Sequence, residues 1–565
     1  MGKEVERMGK EVALSHHSSA GHLQGCIESI LERRQGRTYG PAGGRACSVL
    51  ITDVSMPHVN RHGHQATAEM LRELVEDRVL ANFQKPGEWK FVRGLDYLAT
   101  MATPGGGRPD LPPRLKRHFT LVYVPRVVRV DLESIFGSIM RQYAAQEKAT
   151  PEVTKVANAS VSVTMKIFEQ LMHIIQPTSV KFHHTVANAS VSVTMKIFER
   201  RMHIIQPTSV KFHHTVSVRD ISRLYAGVIR LHWDEITTRE SFVRLWKHEA
   251  ERAFTDKLVE ATDAQAALQI INLNVSEWCG AKIAREVSKP TYFCCRAGSD
   301  EDISFEQETG DADAPTRIYE HCPGLDAAHE VVDRYLQRHN DDPATSDRLR
   351  LALFEYAVAH VLKILHVITL ARGHALLLGA SSTGKSSLTR LATYMAGHFF
   401  IQLSPGLLPG RPAFVELLKS TVRDAAAIGA QATILVTGKQ ASEAVVLDVI
   451  NEIVHTGECL GMFSSEEQAM LVSEALEDSA KKRGYPLTLE GKQDALHFVL
   501  CFPLQGVLPI VARRFPVLQA VCHWIHFLPW PSQSFELVAA KRLQSQSFEL
   551  VAAKQLQVLP ANKGL

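Results

Sequence analysis

Short apolar runs separated by polar and glycine-containing segments predict an alternation of strands and helices along the chain. Ser48–Ile51, Ala375–Leu378 and Ala432–Thr437 are apolar runs of strand length. The longest apolar region, Leu349–Gly379, is interrupted by charged and histidine side chains, among them Glu355, His360, Lys363, His366, Arg372 and His374. It therefore predicts a buried helix followed by a strand, rather than a segment that crosses a membrane.

A loop motif separates the strand predicted at Ala375–Leu378 from a helical pattern. Residues 379–386, Gly-Ala-Ser-Ser-Thr-Gly-Lys-Ser, fit G-x-x-x-x-G-K-[ST] without a mismatch, and the apolar positions that follow recur at helical spacing up to Gly397. The glycines of this motif let the loop fold back, so that backbone N–H groups point at phosphate oxygens, and the helix N-terminus adds its positive dipole end. The pattern predicts a nucleotide site; the alternative is a chance match in a Gly/Ser turn.

The predicted cofactors are ATP or ADP with Mg²⁺. Lys385 is expected to reach the β- and γ-phosphates, and the Ser386 hydroxyl is expected to ligate Mg²⁺. The candidate nucleotide-binding residues are Gly379, Ala380, Ser381, Ser382, Thr383, Gly384, Lys385, Ser386 and Ser387.

Hydrolysis at such a site also needs a carboxylate at the end of a second strand. The strand predicted at Ala432–Thr437 runs into Gly438-Lys439-Gln440, so no acid stands there. Glu443 and Asp448 are close in sequence but fall in the following helix. The interpretation is a loop that holds nucleotide while hydrolysis is slow or absent.

A second half-site lies upstream, where Thr52-Asp53 follows the strand predicted at Ser48–Ile51. It resembles a hydrolysis-carboxylate strand whose first acid is replaced by threonine. Residues 1–45 contain no G-x-x-x-x-G-K, so this half-site has no phosphate loop in the chain as given.

Three segments occur twice. Residues 156–185 recur as 186–215 and differ only where Gln170-Leu171 becomes Arg200-Arg201; SQSFELVAAK recurs at 532–541 and 545–554, and MGKEV at 1–5 and 8–12. Two copies do not make a solenoid, which needs at least about three units. One 30-residue copy is expected to be a poorly anchored excursion from the core. Because the second copy continues into SVRDISRLY, it is expected to be the packed one.

Composition narrows the class of protein only slightly. The 565 residues carry 63 Lys+Arg against 60 Asp+Glu, and a net charge of +3 gives no overall basic footprint for nucleic acid. The charged N-terminus has no apolar core and is not a secretory signal. Nine unpatterned cysteines favour a reducing compartment. We expect a soluble cytosolic or cytoskeletal protein whose 26 histidines are structural or on the surface rather than metal ligands.

Several stretches together resemble a dynein heavy chain of the axonemal outer-arm type. They follow family order over about residues 20–545 and include TYGPAGGRACSVLITDVSMPHVN, FHHTVSVRDISRLYAGV, GHALLLGASSTGKSSLTRLATYMAGHFFIQL and HFVLCFPLQGVLPIVARRFPVL. The resemblance implies an α/β fold with two P-loop NTPase (AAA+) modules, each a mainly parallel sheet flanked by helices plus a small helical subdomain.

Family order also implies domain boundaries. These are an unstructured N-terminus at 1–19, the large subdomain of the third ring module without its P-loop at 20–126, its helical subdomain with the duplication at 127–298, an acidic linker at 299–315, the fourth module at 316–545, and a duplicated C-terminal tail at 546–565.

The resemblance assigns further roles residue by residue. Asp53 matches the second acid of the third module's carboxylate pair, and Arg219 matches a sensor arginine. Arg513 and Arg514 fall where the fourth module offers arginine fingers to the third module's site. Gly438 stands where the family usually has the strand-terminal acid. The alternative for each arginine is a surface ion pair.

The function that the resemblance implies is that of a fragment of a microtubule-based, ATP-driven motor. Its modules would bind nucleotide in a mainly regulatory role, with weak or no hydrolysis. The implied partners are the remaining ring modules and the dynein light and intermediate chains. Microtubules would be contacted only through parts of the motor that are missing from this sequence. Neither nucleic acid nor a membrane is an implied partner. The implied location is the cytoplasm and cytoskeleton, in a cilium or flagellum axoneme. The alternatives are a free-standing AAA+ remodelling ATPase, or a degenerate interaction fragment or incomplete gene model without independent activity.

Overall fold

A computed structural model gives the fold of the chain in two compact units. The first unit comprises residues 1–128, 371–374 and 401–523, and the second comprises 129–370, 375–400 and 524–565. The residues that the structure describes are 7–81, 87–102, 109–125, 127–146, 150–175, 216–231, 236, 238–296, 318–343, 348–403, 410–428, 431–438, 440–457, 459–463, 467, 496–503, 508–528, 530 and 534.

The first unit contains a parallel sheet with the strand order β1-β4-β7, formed by Arg7–Ala13, Ala46–Thr52 and Leu95–Ala99. β1 pairs with β4 in register over all seven residues. Side chains on a strand alternate between its two faces, and Cys47, Val49 and Ile51 on β4 all point into the core. The strand predicted at Ser48–Ile51 is confirmed within β4.

A four-stranded sheet and three helices complete this part of the first unit. Its strands lie in the order β2-β3-β6-β5, with β2 at Leu31–Arg33, β3 at Thr38–Pro41, β5 at Val79–Ala81 and β6 at Trp89–Val92. The helices are α1 at Ala20–Glu28, α2 at Ala66–Glu76 and α3 at Pro113–Lys116. Apolar side chains of α1 and α2, such as Leu23 and Leu71, form one hydrophobic core with β4.

A second parallel strand pair lies in the first unit. β12 (Ala432–Val436) pairs with β13 (Leu496–Phe502), and every residue of both strands is buried. Burial on both faces is typical of central strands in parallel sheets, which explains their continuous apolar sequence. The strand predicted at Ala432–Thr437 is therefore confirmed. Around it lie β11 (Phe399–Gln402), α13 (Arg411–Ile428), α14 (Ala444–Thr456), α15 (Leu508–Arg514) and α16 (Pro516–Val521).

The second unit begins with a group of helices. They are α4 at Arg129–Gln146, α5 at Pro151–Ile175, α6 at Val218–Ile229, α7 at Arg239–Phe254, α8 at Ala261–Cys279 and α9 at Ala281–Val287. Helix α5 packs against α4, α7 and α8. The buried Trp246 of α7 donates to Thr164 Oγ1 of α5 at 3.1 Å, and Thr164 lies 2.9 Å from the Tyr225 hydroxyl of α6. These buried polar contacts tie three helices together.

The structure describes part of the first copy of the duplicated segment. Residues 156–175 of the first copy form most of α5 and are packed, whereas the second copy lies outside the described residues. Residues 156–175 of the first copy are therefore packed, and the expectation that the second copy is the packed one falls on residues outside those that the structure describes. Leu171 is only 1% exposed, and Gln170 accepts a 2.8 Å hydrogen bond from Asn274. The second copy has Arg201 where the first has Leu171. A buried apolar position strongly disfavours an unpaired charge, so an arginine would be unfavourable at position 171.

The rest of the second unit contains the strand that precedes the predicted loop. β8 (Tyr292–Arg296) and β9 (Ile318–Cys322) form an antiparallel pair, and α10 (Leu325–Asp341) and α11 (Glu355–Ile368) follow in the chain. β10 (Ala375–Gly379) is buried throughout, lies beside β14 (His523–Phe527), and is followed by α12 (Lys385–Ala396). The helix and strand predicted within Leu349–Gly379 are confirmed. No helix in the described ranges combines the length and the apolar character that spanning a bilayer requires.

Candidate functional site

The loop between β10 and α12 has the backbone shape that its motif predicts. β10 ends at Gly379, and α12 begins at Lys385 with Gly384 as its N-cap. Ser382 and Gly384 are left-handed, with φ angles of +64° and +86°. A Cβ on Gly379 would lie 2.6 Å from Phe527 Cβ, so only glycine fits at this position. Helix α12 ends at Ala396, and the left-handed Gly397 caps it, which confirms the predicted stop.

Lys385 closes the loop on itself. Its Nζ donates to the carbonyl oxygens of Gly379 at 2.9 Å and Ala380 at 2.5 Å, and lies 3.3 Å from Thr383 Oγ1. The Thr383 hydroxyl in turn donates to Ala380 O at 2.9 Å. The ammonium group is therefore held over the loop, where an anion would draw it away from the carbonyl oxygens. Ser386 and Ser387 lie in the first turn of α12, and both are partly accessible.

The end of β12 carries no acid. The strand stops at Val436, and Gly438 is exposed in a left-handed turn with φ of +64°. Glycine adopts this conformation without strain, whereas a side chain there is disfavoured. Asp448 lies on α14, where its carboxylate accepts a 2.5 Å hydrogen bond from Ser15 Oγ and contacts Arg411 at 3.3 Å. Asp448 is thus committed to other partners.

The upstream half-site ends at the carboxyl end of β4. Thr52 Oγ1 lies 2.9 Å from Nε2 of His455 on α14, and the same nitrogen lies 3.4 Å from Glu11 of β1. Asp53 is half-buried with a φ of +54°, and its carbonyl accepts from the Met56 N–H at 2.9 Å. The threonine at the first-acid position is therefore held by a histidine from a distant segment.

Arg514 lies at this same end of the first unit. Arg513 and Arg514 are exposed at the end of α15, and Arg514 O accepts from the His16 N–H at 3.4 Å. His16 O accepts from the His58 N–H at 3.1 Å, five residues after Asp53. Burial and the neighbouring cations, Arg514 among them, lower the pKa of His16. The backbone of Arg514 thus lies near the loops that follow β1 and β4.

A buried ion cluster ties α13 and α14 to α1. It consists of Arg411, Asp448, Glu452 and His22. Arg411 contacts both carboxyl oxygens of Glu452 at 2.8 and 3.0 Å, and His22 Nε2 lies 3.2 Å from Glu452. Burial, with Arg411 nearby, lowers the pKa of His22 to about 4, so this imidazole is neutral at pH 7. Burial also raises the pKa of Asp448 and Glu452. Sequence analysis missed the cluster, because His22 is far from the other three in sequence, and the contacts of Arg411 with Asp448 and Glu452 span 37 and 41 residues.

Arg219 does not join the other candidate residues. It is exposed in the first turn of α6 and makes no hydrogen bond or ion pair within the part of the chain that the structure describes. Its buried neighbour Asp220 instead pairs with Lys257 at 2.9 Å. Among the described residues, no group of three or more His, Cys, Asp or Glu side chains could hold a metal ion.

Family models match most of the chain. A P-loop containing dynein motor region D4 matches residues 349–559, and a P-loop containing dynein motor region matches residues 3–127. An AAA+ lid domain matches residues 186–288 and so begins at the second copy of the duplicated segment.

Dynein heavy chains are similar along nearly the whole sequence. Dynein axonemal heavy chain 5 of Mus musculus is 29% identical over 552 residues, which cover 95% of this chain and 11% of that protein. The gamma chain of the flagellar outer arm dynein of Chlamydomonas reinhardtii is 29% identical over 558 residues, which cover 94% of this chain and 12% of that protein. Dynein axonemal heavy chain 8 of Homo sapiens is 27% identical over 548 residues, which cover 94% of this chain and 11% of that protein. The chain therefore spans only 11–12% of the length of these relatives. These matches identify it as a homologue of axonemal dynein heavy chains that contains P-loop AAA modules of the dynein motor region.

Proposed function

We propose that residues 379–387 bind ATP or ADP together with Mg²⁺. The observation that carries this proposal is the loop geometry: a buried strand, a folded-back loop with left-handed Ser382 and Gly384, and a helix that begins at Lys385. Lys385 would exchange the carbonyl oxygens of Gly379 and Ala380 for phosphate oxygens, and Ser386 would place its hydroxyl on Mg²⁺. The bound Mg²⁺ would neutralise part of the phosphate charge.

The nucleotide serves mainly a regulatory role in this proposal, with weak or no hydrolysis. Support comes from the end of β12, where exposed Gly438 occupies a left-handed turn in place of a carboxylate. Without an acid there, neither the metal nor an attacking water is oriented. Nucleotide would then act by stabilising one arrangement of the loop rather than by being consumed.

In a longer polypeptide, the chain would contribute two adjacent modules to a dynein motor ring. The third module would occupy residues 20–298 and the fourth residues 316–545, with the acidic linker at 299–315 between them. The names of the relatives favour an axonemal location, in a cilium or flagellum, and partners among the other dynein chains. Microtubule-based movement would belong to that whole assembly.

The remaining candidate residues would act between the modules. Arg513 and Arg514 would face the third module's site, with Asp53 as its surviving acid and Arg219 as a sensor. The hydrogen bond from the His16 N–H to Arg514 O supports this placement for Arg514. Arg219 has weaker support, because its side chain is exposed.

Phosphate release by the full chain with Mg²⁺ and ATP tests the regulatory role. Turnover is expected to be slow and little changed by Lys385→Ala. Brisk turnover that is lost in Lys385→Ala would contradict it. A hexamer in solution with such turnover would favour a free-standing remodelling ATPase instead.

A further inference from the structure

Trp530 makes direct contact with the phosphate loop. Its indole Nε1–H donates to the carbonyl oxygen of Thr383 at 3.2 Å, and its ring lies 3.8 Å from where a Cβ on Gly384 would be. Sequence analysis assigned this tryptophan no role. It lies three residues past the end of β14.

The hydrogen bond fixes one peptide group of the loop. The described peptide bonds are all trans, and in a trans peptide the C=O and the following N–H point in opposite directions. A carbonyl of Thr383 held by Trp530 therefore directs the N–H of Gly384 away from Trp530. Loops with this motif bind phosphate oxygens through such N–H groups. The orientation of one cradle donor thus depends on a side chain outside the motif.

Trp530 is itself held in place by aromatic packing. The Phe354 ring meets it edge to face, with 5.4 Å between centroids, and Phe354 is only 9% exposed. Leu528, two residues before Trp530 in the sequence, is anchored as well, because its carbonyl oxygen accepts a hydrogen bond from the Tyr356 hydroxyl at 3.2 Å. Phe527 lies against Gly379 at the other end of the loop. Phe527 and Trp530 therefore contact opposite ends of the loop.

We propose that Trp530 is a positioning residue for polyphosphate binding, which it supports by holding the Thr383–Gly384 peptide so that the Gly384 N–H is available to a phosphate oxygen. This inference rests on the proposed function of the loop. It assigns Trp530 to phosphate binding rather than to base binding. The loss of Trp530 is therefore expected to weaken the binding of any polyphosphate, with or without a nucleoside.

Trp530→Phe in the full chain tests this directly, because phenylalanine keeps an aromatic ring and removes the donor. Isothermal titration with Mg²⁺-ATP and with Mg²⁺-tripolyphosphate is expected to show the same weakening for both ligands, about three- to tenfold for one hydrogen bond. Trp278→Phe, in α8 and away from the loop, is the matched control and is expected to bind both ligands as the wild type does. Thermal unfolding of both variants checks that the fold is retained.

Two outcomes would overturn the inference while leaving the proposed function intact. One is binding by Trp530→Phe equal to that of Trp278→Phe. The other is weaker binding of ATP with unchanged binding of tripolyphosphate, which would place Trp530 at the base. Wild-type protein that binds neither ligand would overturn both the proposed function and this inference. Amide hydrogen exchange without ligand gives an independent readout: exchange in residues 380–386 is expected to be faster in Trp530→Phe, and equal rates would contradict the inference.

Discussion

Gly227 of α6 lies directly against the carboxylate of Glu249 on α7: a Cβ on Gly227 would be 1.9 Å from Glu249 Oε2. Glu249 is 1% exposed, accepts a 2.8 Å hydrogen bond from the Tyr319 hydroxyl, and lies 3.3 Å from His366 Nε2. Burial by itself raises the pKa of Glu249, but His366 and Tyr319 more than offset it and hold the pKa at about 2. The carboxylate is therefore charged, satisfied and unable to move aside.

Gly227→Ala is expected to destabilise the protein. The added methyl group must displace a buried charged group from its partners, and overpacking of this kind costs about 1–3 kcal/mol. Urea unfolding measures the loss. Gly137→Ala, in α4, is the matched control, because the nearest atom to its Cβ is the flexible end of Arg141 at 3.2 Å. That control is expected to be neutral or slightly stabilising. Equal stability of both variants would contradict the contact between Gly227 and Glu249.

Leu171→Arg is expected to unfold or strongly destabilise α5. It gives the first copy of the duplication the residue that the second copy has at Arg201, and burying an unpaired charge at a 1% exposed position is very costly. Gln170→Arg is the control, because this neighbouring position is only partly buried. Circular dichroism during thermal unfolding provides the measurement. If the second copy were the packed one, Leu171→Arg would leave the melting temperature unchanged.

The buried ion cluster predicts a large effect of Arg411→Leu. Removing the cation leaves the buried carboxylates of Asp448 and Glu452 without their main partner, and breaking a buried ion pair from one side costs about 3–5 kcal/mol. Arg423→Leu on the same helix removes an exposed pair with Glu467, which is worth about 0–1 kcal/mol. Chemical denaturation compares the two variants. Equal losses would show that the cluster adds no more than a surface pair.

His374 makes stability depend on pH. Burial first, then His497 and Arg372, lower its pKa from 6.5 to about 3, and its Nδ1 accepts from the Phe498 N–H at 3.2 Å, which only an unprotonated nitrogen can do. Between pH 6.5 and about 3 the unfolded chain binds the proton and the folded chain does not. This group therefore reduces stability as the pH falls, by up to about 1.4 kcal/mol per pH unit.

His374→Asn tests this pH dependence, because the asparagine oxygen can accept the same hydrogen bond but does not titrate. The free energy of unfolding of His374→Asn is expected to fall less than that of the wild type between pH 7 and pH 5. If the unfolding free energies of the two proteins fell in parallel over this pH range, His374 would not be the origin of the pH dependence.

The parts of the fold that the sequence predicts are local. The strand Ala375–Gly379, the loop and the helix from Lys385 follow from one apolar run, one motif and one helical period, and each depends on residues close together in the chain. Ser15 and Asp448, by contrast, are 433 residues apart, and no local pattern indicates their contact. The two copies of the duplication differ only where Gln170-Leu171 becomes Arg200-Arg201, and the burial of Leu171 is a tertiary property. Trp530 and Thr383 are 147 residues apart, and no local pattern indicates their contact either.

The central claim is that the loop around Lys385 binds nucleotide. Isothermal titration of Mg²⁺-ATP into the full chain measures this, with Lys385→Ala as the test and Lys282→Ala, an exposed residue of α9, as the control. The account predicts saturable binding for the wild type and Lys282→Ala, and at least a tenfold loss for Lys385→Ala, about 1.4 kcal/mol or more. Equal affinity in Lys385→Ala, or no binding by the wild type, would contradict it.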